Sequence, residues 1–231
     1  MPTAVITGAN RGLGLEFAKQ YAADSWRVHA CCRNPDKAVD LAALAEASGG
    51  NVTVHGLEVT DGAAVTALAK VLGGAPVDLL LNNAGVHGPK QQTMADMDYD
   101  GWLDTFAANS MAPLRLAAAF AANVAASEHK RMVTITSRMG SIEQNESGAQ
   151  IAYRSSKAAV NMVMDCVANE LRPEGVTCVV FHPGWVRTDM GGPSAALEID
   201  ESVSSMRAAI ARLTAADTGR FFNYDGTSLP W

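Results

Sequence analysis

The sequence predicts an α/β protein: a single domain, residues 1–231, with a doubly wound parallel sheet of about seven strands and helices on both faces. Three observations carry this. Short apolar runs of strand length alternate with amphipathic stretches of helix length, a glycine-rich loop joins the first run to the first helix pattern, and the alternation continues without a linker or a fixed-period repeat. Such alternation calls for right-handed βαβ crossovers and hence a parallel sheet. A chain of 231 residues is long for one domain, but open α/β sheets reach this size as one unit.

The elements follow in order. An apolar run from Thr3 to Thr7 leads into Thr7-Gly8-Ala9-Asn10-Arg11-Gly12-Leu13-Gly14 and a helix pattern through Ala23. Next come a strand over Arg27 to Cys32, a helix over Asp36 to Ala47 that stops at Gly49-Gly50, and a strand over Val52 to Val59. A helix over Ala63 to Leu72 and a strand over Val77 to Asn82 close the first half. The second half reads as a long helix from Asp100 to Ala126, a strand from Met132 to Thr136, a Gly/Ser/Glu-rich loop and a helix from Ile151 to Leu171. A strand from Thr177 to Phe181, the Pro183-Gly184 turn, an irregular stretch from Gly191 to Asp200, a helix from Glu201 to Leu213 and a short strand from Arg220 to Asn223 complete the chain.

Composition narrows the function classes. Apolar residues make up 48% of the chain, enough for a sizeable core. The net charge of -6, with both signs interspersed, offers no basic patch for nucleic acid and no polybasic anchor for a membrane, so small-molecule partners are expected. The N-terminal residues lack a charged leader with an apolar region, and the alanine-rich run from Leu114 to Ala126 is too short to span a bilayer; a cytoplasmic protein is expected. Cys31, Cys32, Cys166 and Cys178 lie in apolar runs without metal-ligand spacing and are expected to be buried structural thiols. No His pair has ligand spacing either, and no metal is predicted.

Glycines between a first strand and first helix let main chain approach a pyrophosphate, which the helix N-terminus then holds through its free amides and dipole. Gly8, Gly12 and Gly14, with Asn10, Arg11 and Leu13 between them, fit that role, though their spacing is G-x-x-x-G-x-G. At the end of the second strand an acidic residue would select NAD. Here stand Cys32-Arg33-Asn34, with no carboxylate. Arg33 is suited to pair with the additional phosphate of NADP, and Arg11 to form the other side of a clamp; NADP(H) is expected in preference to NAD(H).

Tyr153 and Lys157 stand four residues apart, so on a helix they project from one face. A phenol has an ordinary pKa of about 10 and is a weak proton-transfer group at neutral pH, but a nearby ammonium favours the phenolate. The pair is therefore a candidate general acid/base.

With the glycine loop, Asn82-Asn83-Ala84-Gly85 and Tyr153 to Lys157 in this order, nearly the whole chain resembles the short-chain dehydrogenase/reductases and their Rossmann fold. The loop, the run from His182 to Gly192 and the Phe222-Asn223-Tyr224-Asp225-Gly226 ending resemble the C-factor and sniffer/carbonyl-reductase-like branch. The resemblance implies that Asn83, Ala84 and Gly85 lie beside the cofactor and that Glu58 and Val59 flank the adenine, although Glu58 stands where the family usually has Asp. Pro183, Gly184, Val186 and Thr188 match the segment that meets the nicotinamide carboxamide. Ser137 matches the serine that hydrogen-bonds the substrate carbonyl, and Asn109 the asparagine of the fourth helix. Ser137 precedes Tyr153 by sixteen residues, a longer interval than the family pattern, which implies additional residues between Glu143 and Gln150. Ser141 competes for the role; Ser137 is favoured because it sits at a strand end, where α/β sheets place ligands. Trp185, Met139 and Met190 are expected on the substrate side.

The implied reaction is hydride transfer from NADPH to an aldehyde or ketone carbon, with Tyr153 as proton donor, Ser137 positioning the oxygen and Lys157 holding the nicotinamide ribose. The same groups serve alcohol oxidation. A nucleotide-binding signalling or regulatory protein of C-factor type, with little or no turnover, is the alternative. The family resemblance also implies a homodimer or homotetramer through the fourth and fifth helices. Finally, Pro113 has no amide hydrogen for the carbonyl of Asn109 four residues back, so the long helix should kink there, with a bend between Asn109 and Pro113. In the family that carbonyl holds a water linking the lysine to solvent.

Overall fold

The computed structural model describes residues 1–231. Seven strands, β1 (Thr3–Thr7), β2 (Arg27–Cys32), β3 (Val52–Gly56), β4 (Leu79–Asn82), β5 (Arg131–Ile135), β6 (Thr177–His182) and β7 (Arg220–Asn223), form one sheet in the order β3-β2-β1-β4-β5-β6-β7. Every pairing is parallel. The chain winds outward one way from β1 to β3 and the other way from β4 to β7, so the direction reverses between β1 and β4. Ligand crevices of such sheets open there, at the carboxyl ends of the strands.

The seven helices are α1 (Gly12–Ala23), α2 (Val39–Ala47), α3 (Gly62–Leu72), α4 (Tyr99–Phe106), α5 (Ala112–Ala125), α6 (Ile151–Leu171) and α7 (Ile199–Arg212). Alternation along the strands divides the core into two layers. Ala4, Ile6, Val28 and Ala30 face a layer with Phe17 of α1, Leu41 of α2 and Met206 of α7. Val5, Cys31, Leu80 and Met132 face the opposite layer, with Leu68 of α3, Phe120 of α5 and Met164 of α6. Phe17, Phe120, Phe181 and Phe221 are among the largest fully buried side chains, each contributing about 1.5–3 kcal/mol by removal from water.

Four expectations need correction. The strand expected to reach Val59 ends at Gly56, beyond which Glu58 and Asp61 organise a turn into α3. The helix expected from Asp36 opens instead as a separate 3-10 turn, Pro35–Lys37, because proline suits a first turn but supplies no amide. The single helix expected from Asp100 to Ala126 is α4 and α5 joined by a π-helical turn, Ala107–Met111. Cys166 is exposed, since its place on α6 faces outward; the other three thiols are buried and all four are unpaired. No helix of the chain is long and apolar enough to cross a membrane.

Candidate active site

The glycine loop is held by the Asn-Asn-Ala-Gly segment. The hydroxyl of Thr7, the last residue of β1, accepts the amides of Asn83 and Ala84, each at 3.0 Å. Asn83 Nδ2 donates to the carbonyls of Thr7 at 2.9 Å and Gly8 at 3.3 Å. Contact here leaves no room for side chains: a Cβ on Gly14 would lie 2.2 Å from the Gly8 carbonyl oxygen. Gly8 adopts φ +66, and a Cβ there would sit 3.0 Å from Ala84 Cα. The loop delivers the chain to α1 with Arg11 as an extended N-cap whose side chain caps nothing. First-turn amides of α1 are thus left without a side-chain acceptor, the arrangement that suits a phosphate.

Arg33 and Asn34 are exposed beyond the end of β2, and no carboxylate pairs with Arg33. Arg11 differs from the expected clamp. Its guanidinium reaches across the cleft to Asp189 at 2.5 Å, on the segment after β6. Both side chains are largely exposed, so this pair adds little stability. Glu58 Oε1 accepts the amide and hydroxyl of Thr60, and Val59 is buried beside it. Gly184 adopts φ +86, and a Cβ there would meet Leu197 Cδ2 at 2.8 Å. After Pro183-Gly184, Val186 is buried and Thr188 Oγ1 accepts the Gly191 amide, folding this segment toward the glycine loop, where a Gly12 Cβ would lie 3.6 Å from Thr188 Cγ2.

The four expected catalytic residues converge at the carboxyl ends of β4 and β5. Asn109 lies in the π turn, where the amide of Ala112 donates to the carbonyl of Ala107, five residues back. The wider turn aims its side chain at the loop after β4: Oδ1 accepts the Val86 amide and Nδ2 donates to the Val86 carbonyl, both at 2.8 Å. Nδ2 also donates to Ser156 Oγ on α6 at 3.0 Å. Gly85 is the third side of this contact; a Cβ there would stand 3.1 Å from Asn109 Oδ1 and 3.5 Å from Lys157 Nζ.

Ser137 follows β5 directly, and its hydroxyl accepts the Met139 amide at 3.1 Å. Burial pushes the Tyr153 phenol pKa above its ordinary value, with a hydrogen bond to Ser137 opposing that rise. This reverses the direction expected from the ammonium alone. Lys157 Nζ lies 5.8 Å from the Tyr153 ring centre and donates to the Ile135 carbonyl at 3.0 Å, while burial draws its own pKa down to about 8. At neutral pH the phenol is therefore a retained proton, available for donation. Ser141 is engaged elsewhere, its hydroxyl donating to the Trp231 carbonyl at 3.0 Å.

Met139 is half-buried beside Ser137, whereas Trp185 and Met190 are exposed on the segment after β6. Several contributors carry no motif. Gln92 accepts the Tyr153 amide, His87 stacks on the Tyr153 ring, and the Trp231 carbonyl accepts the amides of Ile142 at 2.7 Å and Glu143 at 3.2 Å, holding the loop after Ser137. Only residue-to-residue geometry over long sequence distances reveals them.

Comparison with known proteins agrees with this architecture. A family profile described as short chain dehydrogenase matches residues 2–198. C-signal of Myxococcus xanthus is 46% identical over 156 residues, covering 68% of this chain and 93% of that protein. Carbonyl reductase Sniffer of D. melanogaster superposes with a TM-score of 0.92 at 32% identity, covering all of both chains. The NADPH-bound carbonyl reductase from chicken fatty liver gives 0.92 at 33% identity, covering 100% of this chain and 99% of that one. The chain belongs to the short-chain dehydrogenase/reductase family, in a branch with C-signal and Sniffer-like carbonyl reductases.

Proposed function

We propose that this oxidoreductase reduces an aldehyde or ketone with NADPH, using Tyr153 as the proton donor. One observation carries the reading: Asn109, Ser137, Tyr153 and Lys157 meet at the strand ends beside an uncapped helix N-terminus. When bound, the nicotinamide supplies the hydride. The protein's part is position and electrostatics. Gly8, Gly12 and Gly14 would give close main-chain approach to a pyrophosphate, the α1 amides would receive it, and Arg33, exposed after β2 with no carboxylate partner, would hold the ribose phosphate. To join Arg33 on that phosphate, Arg11 would exchange Asp189 for it.

Ser137 holds the substrate oxygen next to the phenol. Tyr153 gives up its proton there as the oxygen gains charge, and Lys157, with its pKa near 8, stabilises the phenolate that forms. Asn109 keeps the loop after β4 and α6 in register. Chicken carbonyl reductase, 33% identical, binds NADPH, which supports the choice of cofactor. Four unpaired cysteines support a reducing, cytoplasmic setting. Exposed Tyr99, Leu103, Met111, Leu114 and Met162 on or beside α4, α5 and α6 support assembly through those helices.

The greater identity to C-signal favours a second reading, a nucleotide-binding signalling protein with little turnover. NADPH oxidation against a panel of aldehydes, ketones and quinones separates the two. Turnover with at least one carbonyl supports the reductase; tight NADPH binding without turnover across the panel supports the signalling protein.

A further inference from the structure

Helix α6 carries Tyr153 in its first turn, and that turn has no cap of its own. The residue before it, Gln150, sits at φ +60 with no side-chain cap bond. First-turn amides need outside acceptors, and one distant residue supplies two. The main-chain carbonyl of Gln92 accepts the Ile151 amide at 3.0 Å, and its side-chain Oε1 accepts the Tyr153 amide at 2.9 Å. The other end of the same side chain holds the loop after β4: Nε2 donates to the carbonyls of His87 at 3.0 Å and Pro89 at 2.5 Å. Gln92 is only 4% exposed, and both amide hydrogens are used.

Between this clamp and the one Asn109 makes on Val86 stands His87. Its ring lies 5.0 Å from the Tyr153 ring, with planes 21° apart, an offset stack. Gly88 seats the loop further, since its φ of +86 and a Cβ that would fall 2.7 Å from Thr105 Oγ1 exclude other residues. The stack is therefore set by fixed main chain on both sides. We propose that Gln92 and His87 are a positioning unit for Tyr153: His87 covers one face of the phenol and keeps water from it, and Gln92 locks the His87 loop and the start of α6 to each other. This rests on the reading of Tyr153 as the proton donor.

The test uses the full-length protein with His87→Ala, His87→Phe and Gln92→Glu. Glutamate keeps the acceptor for the Tyr153 amide but has no hydrogen for the two carbonyls. Ultraviolet difference titration of each protein against the same protein carrying Tyr153→Phe reads the phenol directly. Steady-state kinetics with 4-nitrobenzaldehyde and fluorescence titration with NADPH complete the measurement.

In His87→Ala water reaches the ring, so the phenol should titrate lower by at least about half a unit. The kcat should fall about tenfold through lost orientation, with the NADPH dissociation constant within about twofold of the parent. His87→Phe should restore both values because it restores the stack, and Gln92→Glu should behave as His87→Ala. A phenol titration and kcat unchanged in His87→Ala would overturn the proposal, as would failure of His87→Phe to restore either. Should Gln92→Glu not fold, the His87 pair decides. The titration needs no turnover: a wild-type protein inactive on every carbonyl would refute the reductase reading while leaving the positioning claim open to support or refutation by the titration.

Discussion

At the residue scale, Tyr153 and Arg33 carry the most chemistry per atom. Tyr153→Phe removes one hydroxyl at the reacting centre and leaves the ring under His87, so kcat is expected to fall by about 10²–10⁴. NADPH affinity should change by less than about twofold, as checked by fluorescence titration. Arg33→Asp puts a carboxylate where the structure has an unpaired guanidinium. The ratio of kcat/KM for NADPH to that for NADH should drop at least about tenfold, the effect of losing a charge-assisted contact; an unchanged ratio would show that Arg33 does not read the phosphate. Both residues were legible in the sequence because their meaning is local: an i,i+4 pair and the residue after a strand. The role of Gln92 and the partner of Arg11 were not. Gln92 acts on Tyr153 across 61 positions, and Arg11 meets Asp189 across 178. No spacing rule reaches that far.

At the scale of elements, the alternation of strand and helix located all seven strands, yet it missed the π turn. A π turn adds one residue to a helix without interrupting the helical run, and no residue type in Ala107–Met111 marks where the extra residue sits. Pro113 falls in the first turn of α5, directly after the π turn, and Asn109 within that turn clamps Val86. Strands also set a pH response. His29 on β2 and His55 on β3 lie 2.9 Å apart, nitrogen to nitrogen. Burial first, then His55 and Arg27, draws the His29 pKa down to about 4; burial lowers that of His55. At the end of β6, burial and Arg138 hold His182 at about 4 as well. Folded pKa values below the unfolded value of about 6.5 mean that the fold favours neutral imidazoles. Their stabilisation is complete above pH 6.5 and is lost as pH falls from there toward about 4. Calorimetry should therefore show Tm declining across that interval, and His29→Asn should flatten part of the decline. An identical slope in the variant would contradict the assignment.

At the scale of the whole molecule, the fold class, a doubly wound parallel sheet, follows from sequence patterning, because hydrophobic alternation and crossover handedness act on the whole chain, whereas the strand order and the crevice between β1 and β4 are seen only in the structure. Assembly does not follow so directly. Outward-facing Tyr99, Leu103, Met111, Leu114 and Met162 are unusually apolar for free helix surface, and they predict a dimer or tetramer by light scattering at micromolar concentration. Substitution of Leu103 and Met162 by glutamate should yield monomers; a monomeric parent protein would count against that interface.

The central claim is hydride transfer to a carbonyl carbon with a proton from Tyr153, and NADPH deuterated at nicotinamide C4 tests it most directly. With the cofactor labelled on each face in turn and 4-nitrobenzaldehyde as acceptor, mass spectrometry of the alcohol should find deuterium on carbon from one face only, and Tyr153→Phe should nearly abolish the product. No labelled alcohol from either face, for any carbonyl that the protein consumes, or full product formation by Tyr153→Phe, would contradict the account.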